Sequence, residues 1–144
     1  MKFLSKYSFE ILCLLLALVL ILTGCSAGSG NAAEDGGNEM IYQQISMDEA
    51  MALMESEEGY IILDVRRADE YADGHIPDAV NLPNEIIGED DAAVEAVLPD
   101  KEQLILVYCR SGNRSKQASQ KLADMGYVNI KEFGGIMSWP GEIE

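Results

Sequence analysis

Two short runs constrain this chain more than any other feature of it. "YIILDV" (residues 60–65) and "QLILVYC" (residues 103–109) are dense in aliphatic and β-branched residues and show no helical period. A strand covered on both faces reads this way, because neither side meets water. Such strands need helices above and below them, so the runs point to a mostly parallel sheet inside an α/β domain. The intervening segments fit. "IYQQI" (41–45) is a short first strand, and "SMDE" (46–49) places a serine three residues before a glutamate, a capping box. It opens a helix over residues 47–56, with Ala50, Leu53 and Met54 on one face. Residues 68–74 form a helical turn ending at Gly74, 79–83 a strand stopped by proline, and 90–98 a helix. Residues 115–126 form an amphipathic helix on Ala118, Leu122 and Met125, with Gly126 as its C-cap, and 128–133 a last strand. The expected architecture is α/β, three layers deep, with about five strands. At 144 residues the chain has room for one such domain.

The first residues read differently. Lys2 and Lys6 precede a twelve-residue apolar run, residues 11–22. That length suits the core of a signal peptide, whereas a membrane-spanning helix needs about 20 residues. The run ends in Leu22, Thr23, Gly24 and Cys25, which resembles a bacterial lipobox. The resemblance implies cleavage after residue 24 and a diacylglyceryl group on the Cys25 thiol; a plain secretory signal or an uncleaved anchor would also carry such a run. Lipidation with two acyl chains would anchor the protein stably. Residues 26–39 are rich in Gly, Ser, Asn and acids and offer nothing to bury, as in a flexible linker with a reach of roughly 20 Å. The expected organisation is a lipoprotein signal over 1–24, lipidated Cys25 and linker over 25–40, and one folded domain over 41–144. Its location would be extracytoplasmic, lipid-anchored to the cell membrane, as a monomer.

This processing sharpens the cysteine count. The chain has Cys13, Cys25 and Cys109. Cleavage discards the first and lipidation uses the second, so Cys109 remains without a disulfide partner. A free cysteine is either a small buried hydrophobe or a reactive thiol. Net charge is −15, and losing two lysines and one glutamate with residues 1–24 makes it −16. Such acidity disfavours nucleic acid and anionic lipid surfaces as partners. Against it, Arg110, Arg114, Lys116 and Lys121 cluster just after Cys109 and make up half of the eight cationic side chains that remain.

The loop "CRSGNRS" joins the strongest strand to the amphipathic helix through Arg110, Ser111, Gly112, Asn113 and Arg114. Gly112 permits a turn that other residues resist. A tight strand-to-helix loop turns backbone N–H groups inward, and a helix beginning near Ser115 adds its positive end. Such a cradle lowers the pKa of a cysteine at its rim. Arg114 is suited to bind an incoming oxyanion with two hydrogen bonds. The expected picture is an exposed thiol beside a seat for an anion. The plainer reading is that the loop only turns the chain and its arginines are solvated.

"CRSGNRS" resembles the active-site loop of the rhodanese (thiosulfate sulfurtransferase-like) family. Residues 63–83, "LDVRRADEYADGHIPDAVNLP", resemble the family's Asp-Val-Arg and Gly-His-Ile-Pro-Gly-Ala segments. Residues 133–139, "FGGIMSW", resemble its Gly-Gly and tryptophan close. The resemblance spans residues 41–140. It implies a rhodanese-like fold, Cys109 as the nucleophile that holds a persulfide, and the backbone of residues 110–114 as the cradle of the transferred sulfur. Arg114 would help with substrate anions, and Asp64 and Arg66 would be supporting polar residues near the pocket, read chiefly as a buried pair that fixes loops. His75 and Trp139 are read as structural. Asp78 departs from the family's usual glycine.

The implied reaction moves sulfur from thiosulfate or another small anionic sulfane donor to a thiol or cyanide. It needs no cofactor and no proton shuttle. One free cysteine and one histidine do not make a usual zinc site, so no metal is expected. One alternative is a non-catalytic sulfur carrier or binding module at the membrane surface. Another is a cysteine phosphatase or arsenate reductase, whose signature leaves five residues between Cys and Arg; here four separate Cys109 from Arg114.

Overall fold

A computed structural model describes residues 42–144. The signal-like run, Cys25 and the linker lie outside the described residues. The elements follow in the order β1 (Gln43–Gln44), α1 (Met47–Ser56), β2 (Ile61–Asp64), α2 (Ala68–Ala72), β3 (Val80–Asn81), α3 (Asp91–Val97), β4 (Ile105–Cys109), α4 (Asn113–Asp124) and β5 (Ile130–Gly135), with a 3-10 turn at Ile136–Ser138. The strands form one sheet in the order β1-β5-β4-β2-β3, every pair parallel. This is the α/β architecture expected from the two apolar runs, which are its central strands β2 and β4.

Strand alternation sorts the core into two halves. Leu63, Val65, Ile105, Val107, Cys109 and Ile130 face one side, with Val94 of α3 and Ala118 and Leu122 of α4. Ile62, Leu106, Tyr108 and Phe133 face the other, with Ala50 of α1, Ile76 and Ala79. The expected apolar face of α1 is the one that packs: Ala50 is buried, with Leu53 and Met54 half-buried beside it.

Local signals explain the boundaries. The capping box of α1 is complete: Glu49 N–H donates to Ser46 Oγ at 3.2 Å, and Ser46 N–H donates to the Glu49 carboxylate at 2.8 Å. Helix α4 ends at Asp124 with Met125 as its C-cap, and Gly126, one residue beyond the cap, lies in the left-handed region, φ 92°. Gly126 N–H donates to Ala123 O at 2.9 Å and Tyr127 N–H to Leu122 O at 3.1 Å, so the last carbonyls are satisfied in a Schellman motif. A register shift between Val107 and Cys109 sets Cys109 opposite Gly135, bringing the end of β4 beside the paired glycines of β5.

Candidate active site

Cys109 ends β4, and α4 begins at Asn113. The expected five-residue loop is therefore three residues long, Arg110 to Gly112, and Arg114 already lies in the first turn of the helix. Gly112 makes this possible: it is the N-cap residue at φ 99°, which a side chain would resist. The loop folds over the sulfur. Cys109 is only 1% exposed, which corrects the expectation of an exposed thiol. The physical reason is that loop N–H groups turn inward and close on the sulfur; Gly112 N–H donates to Cys109 Sγ at 3.1 Å.

The loop is held from outside by β5. A Cβ at Gly135 would lie 2.3 Å from Arg110 O, so only glycine allows this approach. Arg110 O accepts Met137 N–H at 3.3 Å. Arg110, Ser111 and Asn113 are exposed, whereas Gly112 is buried.

Two opposing effects set the thiol's acidity. Burial, the largest single effect, pushes the Cys109 pKa up. Against it act the Ser115 hydroxyl and the backbone N–H groups of Ser115, Ser111 and Gly112, of which Gly112 N–H makes the 3.1 Å bond to the sulfur. Together they hold the thiol below its ordinary value, because a thiolate accepts such bonds better than a thiol.

Arg114 does not point at an empty anion seat. Its Nη1 and Nη2 donate to the two carboxylate oxygens of Glu70 at 2.6 and 2.8 Å. The two hydrogen bonds expected for a substrate oxyanion are thus given to α2. This pairing holds the Glu70 carboxyl down at about 2. Arg114 still acts on Cys109 through its charge. The basic cluster also disperses, since Lys121 Nζ donates to Asn84 O at 2.8 Å. Lys116 is exposed and lines a cleft of about 370 Å³ beside the loop, with Ser111, Gly112 and Glu132.

Asp64 and Arg66 lie on the opposite side of the sheet, with Tyr108 rather than Cys109. Arg66 Nη2 donates to Asp64 Oδ2 at 2.6 Å and to Gly74 O at 2.7 Å. Asn81 Nδ2 donates to both Asp64 O and Arg66 O at 2.9 Å. Ile76 N–H donates to the Tyr108 hydroxyl at 3.2 Å. This buried pair fixes the loops that follow β2 and α2. His75 stacks on Tyr71 at 3.8 Å between ring centroids and exchanges backbone hydrogen bonds with Glu144. Trp139 packs on Phe133, 6.1 Å between centroids, and donates to Glu142 O. Asp78 keeps a glycine-like backbone, φ 63°.

Three residues of the site were missed from the sequence. Glu70 holds Arg114 across 44 positions, a pairing that local patterns do not contain. Ser115 sits under the sulfur, and Glu132 is a 2%-exposed carboxylate behind it. Alternation from Ile130 does send Glu132 to the side of α4, and a charged residue at an inward strand position was the available signal.

Comparison with known proteins agrees with this geometry. Over 105 residues, 70% of this chain, it is 30% identical to an adenylyltransferase and sulfurtransferase, UBA4, of Candida albicans, of which it spans only 24%. It is 34% identical over 74 residues to the thiosulfate sulfurtransferase PspE of Escherichia coli, 51% of this chain and 68% of that one. Among solved structures, the human single-domain sulfurtransferase TSTD1 superposes with a TM-score of 0.57 at 28% identity, covering 67% of this chain and 93% of that one. The model of the Rhodanese-like domain matches residues 46–142, and the chain belongs to that family of sulfurtransferase-related domains.

Proposed function

We propose that this chain transfers a sulfane sulfur from a small anionic donor, such as thiosulfate, to a thiol or cyanide through a persulfide on Cys109. The observation that carries the proposal is the loop closed on the Cys109 sulfur, with Gly112 N–H at 3.1 Å and a helix beginning one residue later. The similarity to a relative named thiosulfate sulfurtransferase supports the donor class. The Cys109 thiolate attacks the outer sulfur of thiosulfate. The new S–S bond forms as the donor's S–S bond breaks, and sulfite leaves with the electron pair. The acceptor then attacks the outer sulfur of the persulfide, and Cys109 departs as thiolate. In both steps negative charge sits on or next to Sγ, where the N–H groups of Ser111, Gly112 and Ser115 stabilise it. The Arg114–Glu70 pair keeps a cation near the site while placing its hydrogen bonds elsewhere. The short Cys-to-Arg spacing favours a single sulfur over a tetrahedral phosphate.

The test uses the chain with Cys13 and Cys25 replaced by serine, so that Cys109 is its only thiol. Thiosulfate should add one sulfur atom to the intact mass, cyanide should remove it, and Cys109→Ser should never gain it. No adduct from several sulfane donors would sink the proposal.

We further propose that Cys25 is lipidated and tethers the domain outside the cytoplasm. Support comes from the apolar run at 11–22, the residues 22–25 that close it, and the linker after them. Labelled fatty acid should enter the wild-type chain in a bacterial host and be absent from Cys25→Ser. Equal labelling of both would exclude Cys25 as the acceptor.

A further inference from the structure

Of the ten lysines and arginines, all but Lys2 and Lys6 lie in the described residues. Most of these are engaged. Arg66 pairs with Asp64, Arg67 with Asp69, Arg114 with Glu70 and Lys101 with Glu95. Lys121 and Lys131 donate to Asn84 O and Gln43 Oε1. Among the described residues, only the side chains of Arg110 and Lys116 make no hydrogen bond or ion pair. Both are exposed, and both flank the loop that covers the sulfur. Arg110 follows Cys109 directly, and Lys116 N–H donates to Gly112 O at 3.3 Å. In a chain of net charge −15, the free cations meet at one place.

An anion drawn in by Arg114 must first displace its two short bonds to Glu70, 2.6 and 2.8 Å. Arg110 and Lys116 have no such bonds to give up. Lys116 is also the one cation on the wall of the 370 Å³ cleft beside the loop. Ser46, Ser111 and Ser138 bring hydroxyls to that wall and Met47 brings apolar surface. Glu132 shares it, but its Oε1 is taken by Ser115 Oγ and Gly134 N–H. The volume is in the range of sites for small organic ligands, about 300–1,000 Å³, and is more than a bare inorganic anion needs.

We propose that Arg110 and Lys116, rather than Arg114, are the residues that select anionic reactants for Cys109, and that the sulfur acceptor is a low-mass thiol bearing a carboxylate. This rests on the reading of Cys109 as the site of sulfur transfer. Lys116 pairs with the acceptor's carboxylate while its thiolate attacks the outer sulfur of the persulfide. A new S–S bond forms, the Cys109 Sγ–S bond breaks, and Cys109 leaves with the electron pair. The acceptor departs as a persulfide that keeps its carboxylate.

The first test needs no sulfur transfer. In the single-thiol chain, Cys109 is alkylated by iodoacetate, an anion, and by iodoacetamide, its neutral counterpart. Both react with the same thiolate, so the ratio of the two rates cancels any change in ionisation. That ratio should fall about two- to fivefold in each of Arg110→Gln and Lys116→Gln, the size of one exposed charge a few ångströms from another. It should fall by the product of the two in the double variant. The differences should vanish near 1 M salt, where screening acts within about 3 Å. An unchanged ratio in either single variant, or a difference that survives high salt, overturns the proposal. The second test loads Cys109 with sulfur and discharges it with 3-mercaptopropionate or with neutral 2-mercaptoethanol. Lys116→Gln should raise the half-saturating concentration of the first about two- to fivefold and leave that of the second in place. An equal change for both thiols overturns the acceptor assignment. A chain that never loads sinks the sulfurtransferase reading, while the alkylation ratio still decides the role of the two cations.

Discussion

Replacing Gly135 by alanine tests how tightly the cysteine loop is held. The added Cβ would sit 2.3 Å from Arg110 O, 2.5 Å from Arg110 C and 2.5 Å from Ser111 Cα. The backbone of Gly135 is ordinary extended chain, φ −138° and ψ 146°, so an alanine there pays no dihedral strain. All of the cost is steric, and all of it falls on the backbone of the loop. Non-bonded carbons rest at about 3.5–4.0 Å, so the loop must retreat by roughly an ångström. That retreat breaks the Met137 N–H bond to Arg110 O and carries Gly112 N–H away from Sγ, now 3.1 Å distant. Overpacking of this kind costs about 1–3 kcal/mol of stability. Losing one hydrogen bond to a charged sulfur costs about 1.5–3 kcal/mol, or roughly one to two pKa units on Cys109. Gly135→Ala should therefore melt lower, by about 4–8 °C per kcal/mol for a domain of this size. It should also shift the Cys109 alkylation profile upward by those one to two units. Gly134→Ala is the contrast: nothing lies within 4 Å of its added Cβ, but φ is +96°, so its cost is backbone strain of about 1–2 kcal/mol. If Gly135→Ala alkylates along the wild-type profile, the close approach does not hold the loop, and the reasoning fails.

Three further outcomes follow from other parts of the molecule. Asp78→Gly relieves the left-handed backbone at φ 63° and should stabilise by about 1 kcal/mol after glycine's extra chain entropy is subtracted, seen as a higher urea midpoint at unchanged slope. Glu70 has its carboxyl depressed from 4.5 to about 2 by Arg114. A depressed acid gives stability that is fully present above its unfolded value and is lost as pH falls through the folded one. The stability advantage of wild type over Glu70→Gln should thus be complete above about pH 4.5 and vanish toward pH 2, by denaturant titration across that range. Arg66→Met leaves the fully buried Asp64 carboxylate without its partner and should cost about 3–5 kcal/mol in the same assay; a loss under about 1 kcal/mol would contradict a buried, desolvated pair.

Much of the fold was legible because the strongest local signals agree with the tertiary structure. Residues 60–65 and 103–109 could only be doubly covered strands, and they are the centre of the sheet. The Ser46–Glu49 box and Gly126 end their helices as such residues should, since each satisfies orphan backbone groups from nearby in sequence. The tight loop after Cys109 was legible in the sequence, but its polar partners were not. Glu70 meets Arg114 and Glu132 meets Ser115 only after the chain has folded, and no periodicity encodes either meeting. Burial of Cys109 was hidden for a related reason. A small polar loop reads as exposed, yet here its N–H groups turn toward the sulfur, and the glycine at 135 lets β5 press the loop down.

The sheet itself has a consequence beyond scaffolding. Tyr108 and Cys109 are neighbours in sequence, yet their side chains belong to different halves of the core. One half holds the thiol, Ser115 and Glu132; the other holds the Asp64–Arg66 pair and the ring of Tyr108 beneath the guanidinium, 5.8 Å from its centroid. A layer of hydrogen-bonded backbone stands between a buried ion pair and a sulfur that, in the proposed reaction, changes its charge. The sheet is a bulkhead: a substitution on the thiol side leaves the Asp64–Arg66 pair and the loops it holds untouched.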